Sequence, residues 1–165
     1  MSLRLKNWKD RPPEVANLLN PAYLSILLSK MCSGYAKPRI GMPFPLAFVG
    51  LPLILHRGTA EILPKTSRTR LHLWLDQNPE VTFSFGVRAA GCAPYVRECI
   101  SFGVRVGVLR LESTGAISGK ALKTPKQWEE SSSPQIAIKR AELVGKLFAN
   151  VSSVSTVFAM LGVRP

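Results

Sequence analysis

The sequence predicts a mainly α-helical protein with a small β-hairpin: a winged helix-turn-helix core with helical extensions at both ends. Apolar residues recur at helical spacing over most of the chain. Pro and Gly divide residues 66–107 into three short helical segments, and alternating strands at 108–111 and 116–118 flank a turn at 113–115. Three helices followed by a hairpin is the order of a winged helix-turn-helix.

A single domain is predicted for residues 1–165, because a chain of this length buries roughly 70% of its unfolded surface. Its predicted parts are N-terminal helices at 12–57, the winged-helix core at 66–120, a linker at 121–134 and C-terminal helices at 135–165. The three cysteines are odd in number and show no metal-ligand spacing, which predicts reduced thiols in the core.

Prolines mark the starts of the first two helices. Pro12 and Pro13 begin a short helix, whereas Asn20 and Pro21 cap and begin a longer one that should reach Tyr35. In the longer helix the apolar positions repeat every three or four residues, and polar side chains fall on the other side. One face of this helix is therefore expected to be buried.

A third N-terminal helix is predicted between two extended segments. Residues 36–45 contain three prolines and a glycine, so they should form an extended connection. Residues 46–57 are apolar nearly all round, which predicts a helix at the centre of the core, kinked near Pro52. Residues 58–65 are expected to be a connector, in which Leu63-Pro64 is extended because a residue before proline avoids the helical region.

Caps and breakers delimit the three helices of the predicted core. The first is capped at 66–67 and ends before Pro79, which opens a second helix. Gly91 ends the second helix, and Pro94 opens a third that Gly107 terminates. The C-terminal part continues with two further helices.

The same kinds of signal, apolar spacing and capping residues, predict these C-terminal helices. A helix is predicted over 135–150, and a last one, capped at 152–153, ends at Gly162. Because neither could bury its apolar stripe alone, both should pack back on the 46–57 helix or on the N-terminal pair.

The charge of the chain favours an acidic partner. Lys and Arg number 22 against 10 acidic residues, which gives a net charge of +12 and a pI near 10.2. Nucleic acid is the first candidate, an acidic protein surface is the second, and a merely solubilising surface is the alternative. Residues 1–10 lack the apolar run of a signal peptide, and the longest apolar run, 44–55, is too short to span a bilayer. A cytoplasmic location without membrane contact is therefore predicted.

No combination of residues predicts catalysis. His56 and His72 are the only histidines, and neither stands at a metal or triad spacing from Cys, Asp or Glu. The carboxylates are scattered, and the glycines match neither the dinucleotide nor the Walker pattern. The sequence thus predicts a binding module that is not an enzyme and holds no metal or cofactor.

The predicted third core helix carries the main candidate binding surface. Arg97, Ser101 and Arg105 are four residues apart and should stack on one side, as on the exposed face of a recognition helix. Further basic candidates are Arg88, Arg110 and Lys120 around this helix and Lys65, Arg68 and Arg70 in a second cluster. These residues could contact phosphates or guanine edges, or bind a protein. An ordinary solvated helix face is the alternative interpretation.

Several short motifs resemble one bacterial family. They are Leu18-Leu19-Asn20-Pro21-Ala22, Leu51-Pro52-Leu53-Ile54-Leu55-His56, Leu63-Pro64, Trp74-Leu75 before Asn78-Pro79, Arg97-Glu98, and Leu161-Gly162-Val163-Arg164-Pro165. In this order and spacing they resemble the middle component of ABC-three-component systems over nearly the whole chain.

The resemblance implies a non-enzymatic adaptor encoded between an SMC-like ABC ATPase and an effector, in systems thought to act against phages and other invading DNA. It implies those two proteins as partners, with DNA as a further candidate, and it supplies no catalytic residues. The alternative function is a self-standing winged-helix transcriptional regulator that binds DNA.

Overall fold

The computed structural model describes residues 5–35, 41–123 and 133–164. They form a mainly α-helical structure with a small three-stranded antiparallel sheet. The helices are α1 (Pro13–Leu18), α2 (Pro21–Tyr35), α3 (Ala47–Leu55), α4 (Arg57–Glu61), α5 (Leu71–Gln77), α6 (Phe85–Arg105), α7 (Ser133–Ala149) and α8 (Val154–Met160). The strands are β1 (Met42–Pro43), β2 (Leu109–Leu111) and β3 (Ala116–Gly119), and short 3-10 turns occur at Trp8–Asp10, Phe44–Leu46 and Pro79–Val81.

Helices α2, α3, α6 and α7 enclose the core. Helix α3 is buried along most of its length, as its uniformly apolar sequence predicts. Helix α2 packs most extensively against α7, which also contacts α3. The prediction that this C-terminal helix packs back on the N-terminal helices is therefore confirmed. The predicted extensions are thus not peripheral: α2, α3 and α7 supply much of the centre of the molecule.

The first two helices begin and end close to their predicted positions. Helix α2 begins at Pro21, and the side-chain oxygen of Asn20 accepts a hydrogen bond from the Ala22 amide at 2.9 Å. Leu27 and Met31 are buried on the predicted face of α2, but Ser25 and Ser29, which were expected on the solvent side, are buried as well.

The predicted helix over 46–57 is divided at His56. Helix α3 ends at Leu55, and His56 starts α4 by accepting a hydrogen bond from the Thr59 amide at Nδ1, at 3.2 Å. The prediction of a plain connector over 58–65 is therefore wrong for its first residues. A histidine cap, which the apolar run does not reveal, provides the new helix start.

The predicted hairpin is confirmed and gains a third strand. Strands β2 and β3 pair antiparallel, with Arg110 opposite Ser118, and Gly115 takes a positive φ of 80° in the turn. Met42 of β1 pairs with Ile117 on the other edge of β3. Within residues 41–45 the predicted extended connection thus contains a strand, and Pro43 fits there because β1 is an edge strand. Residues 36–40 of that prediction lie outside the described residues.

The helix-turn-helix prediction is not supported, because its second and third helices are largely one element. Helix α6 runs for 21 residues through Gly91 and Pro94, and Pro79–Val81 is only a 3-10 turn. A proline inside a helix costs about 3 kcal/mol. The buried stripe Phe85, Ala89, Val96, Ile100 and Gly103 continues in helical register on both sides of Pro94. Burial of large side chains at about 1.5–3 kcal/mol each offsets that cost.

The first helix of the predicted core is shorter than expected. Helix α5 begins at Leu71, and not at 66–67, although its predicted buried residues Leu71, Trp74 and Leu75 are all buried. The indole of Trp74 donates a hydrogen bond to the Ile62 carbonyl oxygen at 2.8 Å. This bond joins the indole to the residue that ends α4.

The C-terminal helices lie close to their predicted positions, and the predicted cap of the last one is observed. Helix α7 begins at Ser133, two residues before the predicted start, and the predicted linker falls largely on residues 124–132, outside the described residues. The Ser153 hydroxyl accepts a hydrogen bond from the Thr156 amide at 3.2 Å, and Gly162 takes a φ of 67° after α8.

Across the described ranges, no single helix is long and apolar enough to cross a membrane. Helices α7 and α8 together have the length and apolar composition of a membrane span, but the chain bends by 112° at the break between them.

Candidate interaction surfaces

The outer face of α6 carries Arg97, Ser101 and Arg105, all exposed as predicted. The guanidinium carbon of Arg97 lies 5.7 Å from the centre of the Phe48 ring, and that of Arg105 lies 5.8 Å from the centre of the Phe102 ring. Such cation–π contacts contribute about 0.5–1 kcal/mol at exposed sites. Within the described residues neither arginine forms an ion pair with a carboxylate. Both charges are therefore oriented by aromatic rings and remain available to a ligand.

An apolar groove of about 540 Å³ lies beside Arg97. Three separate parts of the chain line it: the residues around the start of α3, the first half of α6, and the residues around the end of α8. Its main apolar side chains and its two cations are Phe48, Ala93, Phe158, Val163, Arg97 and Arg164. The predicted stripe thus borders a concave apolar surface, which the helical spacing of its residues did not indicate.

Arg88 differs from Arg97 and Arg105, because its guanidinium donates hydrogen bonds within the fold. It donates hydrogen bonds to the carbonyl oxygens of Phe83 at 2.9 Å and Val81 at 3.0 Å, and it lies over the Phe85 ring. Ser84, between these residues, takes a left-handed φ of 54°. Arg88 satisfies carbonyl groups of the turn that starts α6, which makes it a weaker candidate for an external ligand than Arg97 or Arg105.

The two candidates on the sheet differ in their contacts. Arg110 pairs with Glu112 at 2.9 Å, and the hydrogen bond from Arg110 lowers the pKa of that carboxyl group. Lys120 is exposed, while its backbone carbonyl oxygen accepts a hydrogen bond from the Ser29 hydroxyl at 2.8 Å. Strand β2 contacts α6, so the sheet lies against this helix. Arg110 has an internal counterion and is the weaker candidate for an external anion.

The second basic cluster borders a groove of about 580 Å³ between the segment before α5 and helix α7. Lys65 lines it, whereas Arg68 and Arg70 are exposed further along the same segment. The side-chain amide of Asn150 donates a hydrogen bond to the Ser67 carbonyl oxygen at 3.3 Å, which holds this segment to the end of α7.

Helix α7 contributes charges to this groove that were not among the sequence-based candidates. The lining includes the cations Lys139, Arg140 and Lys146 and the acids Glu61 and Glu142. Glu142 pairs with Lys146 at 2.6 Å, and Glu61 pairs with Arg57 at 2.7 Å. Lys139 and Lys146 are seven residues apart and so share one helix face, a signal present in the sequence. Their meeting with Lys65 depends on tertiary packing.

The cysteines and histidines of the described residues show no catalytic arrangement. Burial raises the pKa of the Cys32 and Cys99 thiols to about 12, and burial also raises the pKa of Cys92. His56 caps α4 and His72 is exposed. No group of three or more His, Cys, Asp or Glu side chains in the described residues could hold a metal ion.

Comparison with known protein families gives a match over nearly the whole chain. A family model described as "ABC-three component (ABC-3C) system Middle Component 3" matches residues 8–165. No curated protein and no solved structure matches the chain. The matched range covers all the helices and strands of the described residues, from α1 to α8.

Proposed function

Because the chain belongs to the Middle Component 3 family of ABC-three-component systems, we propose that it is a non-enzymatic, cytoplasmic adaptor that joins the system's ABC ATPase to its effector. Family membership implies an ABC ATPase and further components as partners. The outer face of α6 is the proposed contact surface for one of them.

The observation that carries this proposal is the combination of charge and apolar surface at Arg97. Its guanidinium stacks on Phe48 at the edge of an apolar groove and has no carboxylate partner in the described residues. Arginine and aromatic side chains are enriched in the centres of protein–protein interfaces. A phosphate backbone would use the arginine but gain nothing from the apolar groove. A protein partner uses both.

Co-expression with the ABC ATPase and the effector encoded beside this protein tests the adaptor. We expect a complex that survives gel filtration, and we expect the double variant Arg97→Glu, Arg105→Glu to lose one of the two partners. The matched control is Lys9→Glu, Lys123→Glu, which makes the same charge change at exposed positions outside both grooves. Separate elution of the wild-type proteins, with and without ATP and DNA, would contradict the adaptor function.

A contact with DNA is the second candidate function, and the groove beside α7 favours it. Lys65, Lys139 and Arg140 line one concave surface and form no ion pair in the described residues. Basic side chains grouped in this way contact phosphates without reading sequence. A winged-helix regulator is not proposed, because the continuous helix α6 replaces the two helices on which that alternative depended.

A further inference from the structure

The apolar groove between α6 and the end of α8 also indicates the chemistry of its ligand. We propose that it binds an acidic segment of the partner protein, one that inserts an aromatic or large aliphatic side chain and places a carboxylate near Arg97 or Arg164. This inference rests on the proposed adaptor function and specifies its contact.

The dimensions and lining of the groove fit a peptide side chain. Its volume of about 540 Å³ falls within the range of about 300–1,000 Å³ that is typical of ligand pockets. The α6 wall consists of glycine and alanine positions up to Ala93, while Phe44, Phe48 and Phe158 form the other walls. Small side chains on one wall leave room for an inserted group, and the phenylalanines supply apolar area for it to bury.

The charges at the groove favour a partner segment that is negatively charged. Arg97 comes from α6 and Arg164 from the segment after α8, and no acidic residue lines the groove within the described ranges. Neither arginine pairs with a carboxylate in the described part of the chain. An incoming carboxylate would therefore meet two cations from different elements, and a basic segment would be repelled.

The turn at Gly162 places Val163 and Arg164 at this groove. The Val163 amide donates a hydrogen bond to the Phe158 carbonyl oxygen at 2.9 Å, and the Gly162 amide donates to that of Ala159 at 3.1 Å. With the φ of 67° at Gly162, these bonds form a Schellman cap, which turns the chain sharply at the helix end. Val163 then lines the groove beside Phe158, and Arg164 follows at its edge.

A peptide array that tiles the sequences of the neighbouring ATPase and effector tests this inference. The probe is the full chain carrying a fluorescent label. We expect this probe to bind those peptides that combine Asp or Glu with Phe, Tyr, Trp or Leu. The affinity for the best peptide is then measured in solution. The variant Ala93→Phe, which fills the groove, and the double variant Arg97→Glu, Arg164→Glu should each lower this affinity by at least about tenfold.

Matched variants separate groove binding from general damage. Ala159→Phe adds the same ring at an exposed position of α8 that does not line the groove, and Lys9→Glu with Lys123→Glu repeats the charge change. Both should bind within about twofold of wild type, and circular dichroism should show that all variants are folded. If Ala93→Phe misfolds, the arginine variant at the groove edge still tests the site.

The possible outcomes distinguish this inference from the adaptor function. If the ATPase or effector complex forms equally well with Ala93→Phe and with the arginine variant, the groove assignment is wrong and the adaptor stands. If the wild-type complex never forms, the adaptor itself fails. Equal retention of basic and acidic peptides would overturn the charge selection. Displacement of the peptide by a short DNA duplex, with loss of DNA binding in Ala93→Phe, would overturn the assignment to a protein partner.

Discussion

The guanidinium of Arg11 donates two hydrogen bonds to the carboxylate of Glu98, from Nη1 to Oε2 at 2.8 Å and from Nη2 to Oε1 at 2.7 Å. The Arg11 side chain is 5% exposed, and its guanidinium carbon lies 5.4 Å from the centre of the Trp8 ring and 5.8 Å from the centre of the Tyr95 ring. The hydrogen bond with Glu98 raises the pKa of Arg11. This pair fastens the segment before α1 to the middle of α6, one residue after Arg97.

Arg11→Ala should destabilise the protein by about 2 kcal/mol, because it removes charge-assisted hydrogen bonds and leaves Glu98 without its partner. Chemical denaturation, monitored by circular dichroism, measures the change in the free energy of unfolding. The control is Arg57→Ala, since Arg57 forms an exposed i,i+4 pair with Glu61 and should leave the midpoint nearly unchanged. Equal midpoints for the two variants would show that the Arg11 pair does not stabilise the fold.

Gly145→Ala should destabilise the protein by about 1–3 kcal/mol, because an added methyl group would collide with the backbone of α2 at the Met31 carbonyl oxygen. Gly34 of α2 makes the reciprocal close approach to Glu142 of α7. Gly91→Ala is the matched control within α6: its Cβ would meet no atom within 4 Å. This change should raise stability by up to about 1 kcal/mol. Thermal melting of both variants should give shifts of opposite sign.

The elements that could be predicted from the sequence are those whose signal is local. The repeat of apolar residues in α2, the Ser153 cap and the turn at Gly115 each lie within a few neighbouring residues. Helix α6 could not be predicted in full, because Gly91 and Pro94 are local breakers whose effect is overridden by burial of the stripe from Phe85 to Gly103. A stripe that keeps its register across both breakers is the signal that favours a single helix.

The candidate site was predictable only as one helix face. Arg97 and Arg105 follow from spacing along α6, but Phe48 and Arg164 reach the groove from distant parts of the chain. The Arg11–Glu98 pair likewise joins residues 87 positions apart. Such contacts depend on how helices pack, and a single sequence carries no local pattern for them.

The thiols of Cys32 and Cys99 should resist alkylation in the folded protein. Burial raises their pKa to about 12, so they stay protonated at a pH near 8.5, where an ordinary thiol is half ionised. Cys92 is only partly buried and should react first, more slowly than a free thiol because burial raises its pKa as well. Iodoacetamide labelling followed by mass spectrometry measures the order. All three should react quickly in denaturant, and fast native labelling of Cys99 would contradict the packing of α6 on the core.

The salt dependence of DNA binding should separate the two basic surfaces. If Lys65, Lys139 and Arg140 contact phosphates, replacing all three with Gln should flatten the plot of log affinity against log salt by about 0.9 for each phosphate that is no longer neutralised. Arg97→Gln with Arg105→Gln should leave that slope unchanged, because we assign the α6 face to a protein partner. Fluorescence anisotropy on a labelled duplex at several salt concentrations gives both slopes, with Lys9→Gln and Lys123→Gln as the charge-matched control for the α6 pair. The reverse result, a flatter slope only for the α6 variant, would move the DNA contact to α6 and leave the α7 groove as solvated surface.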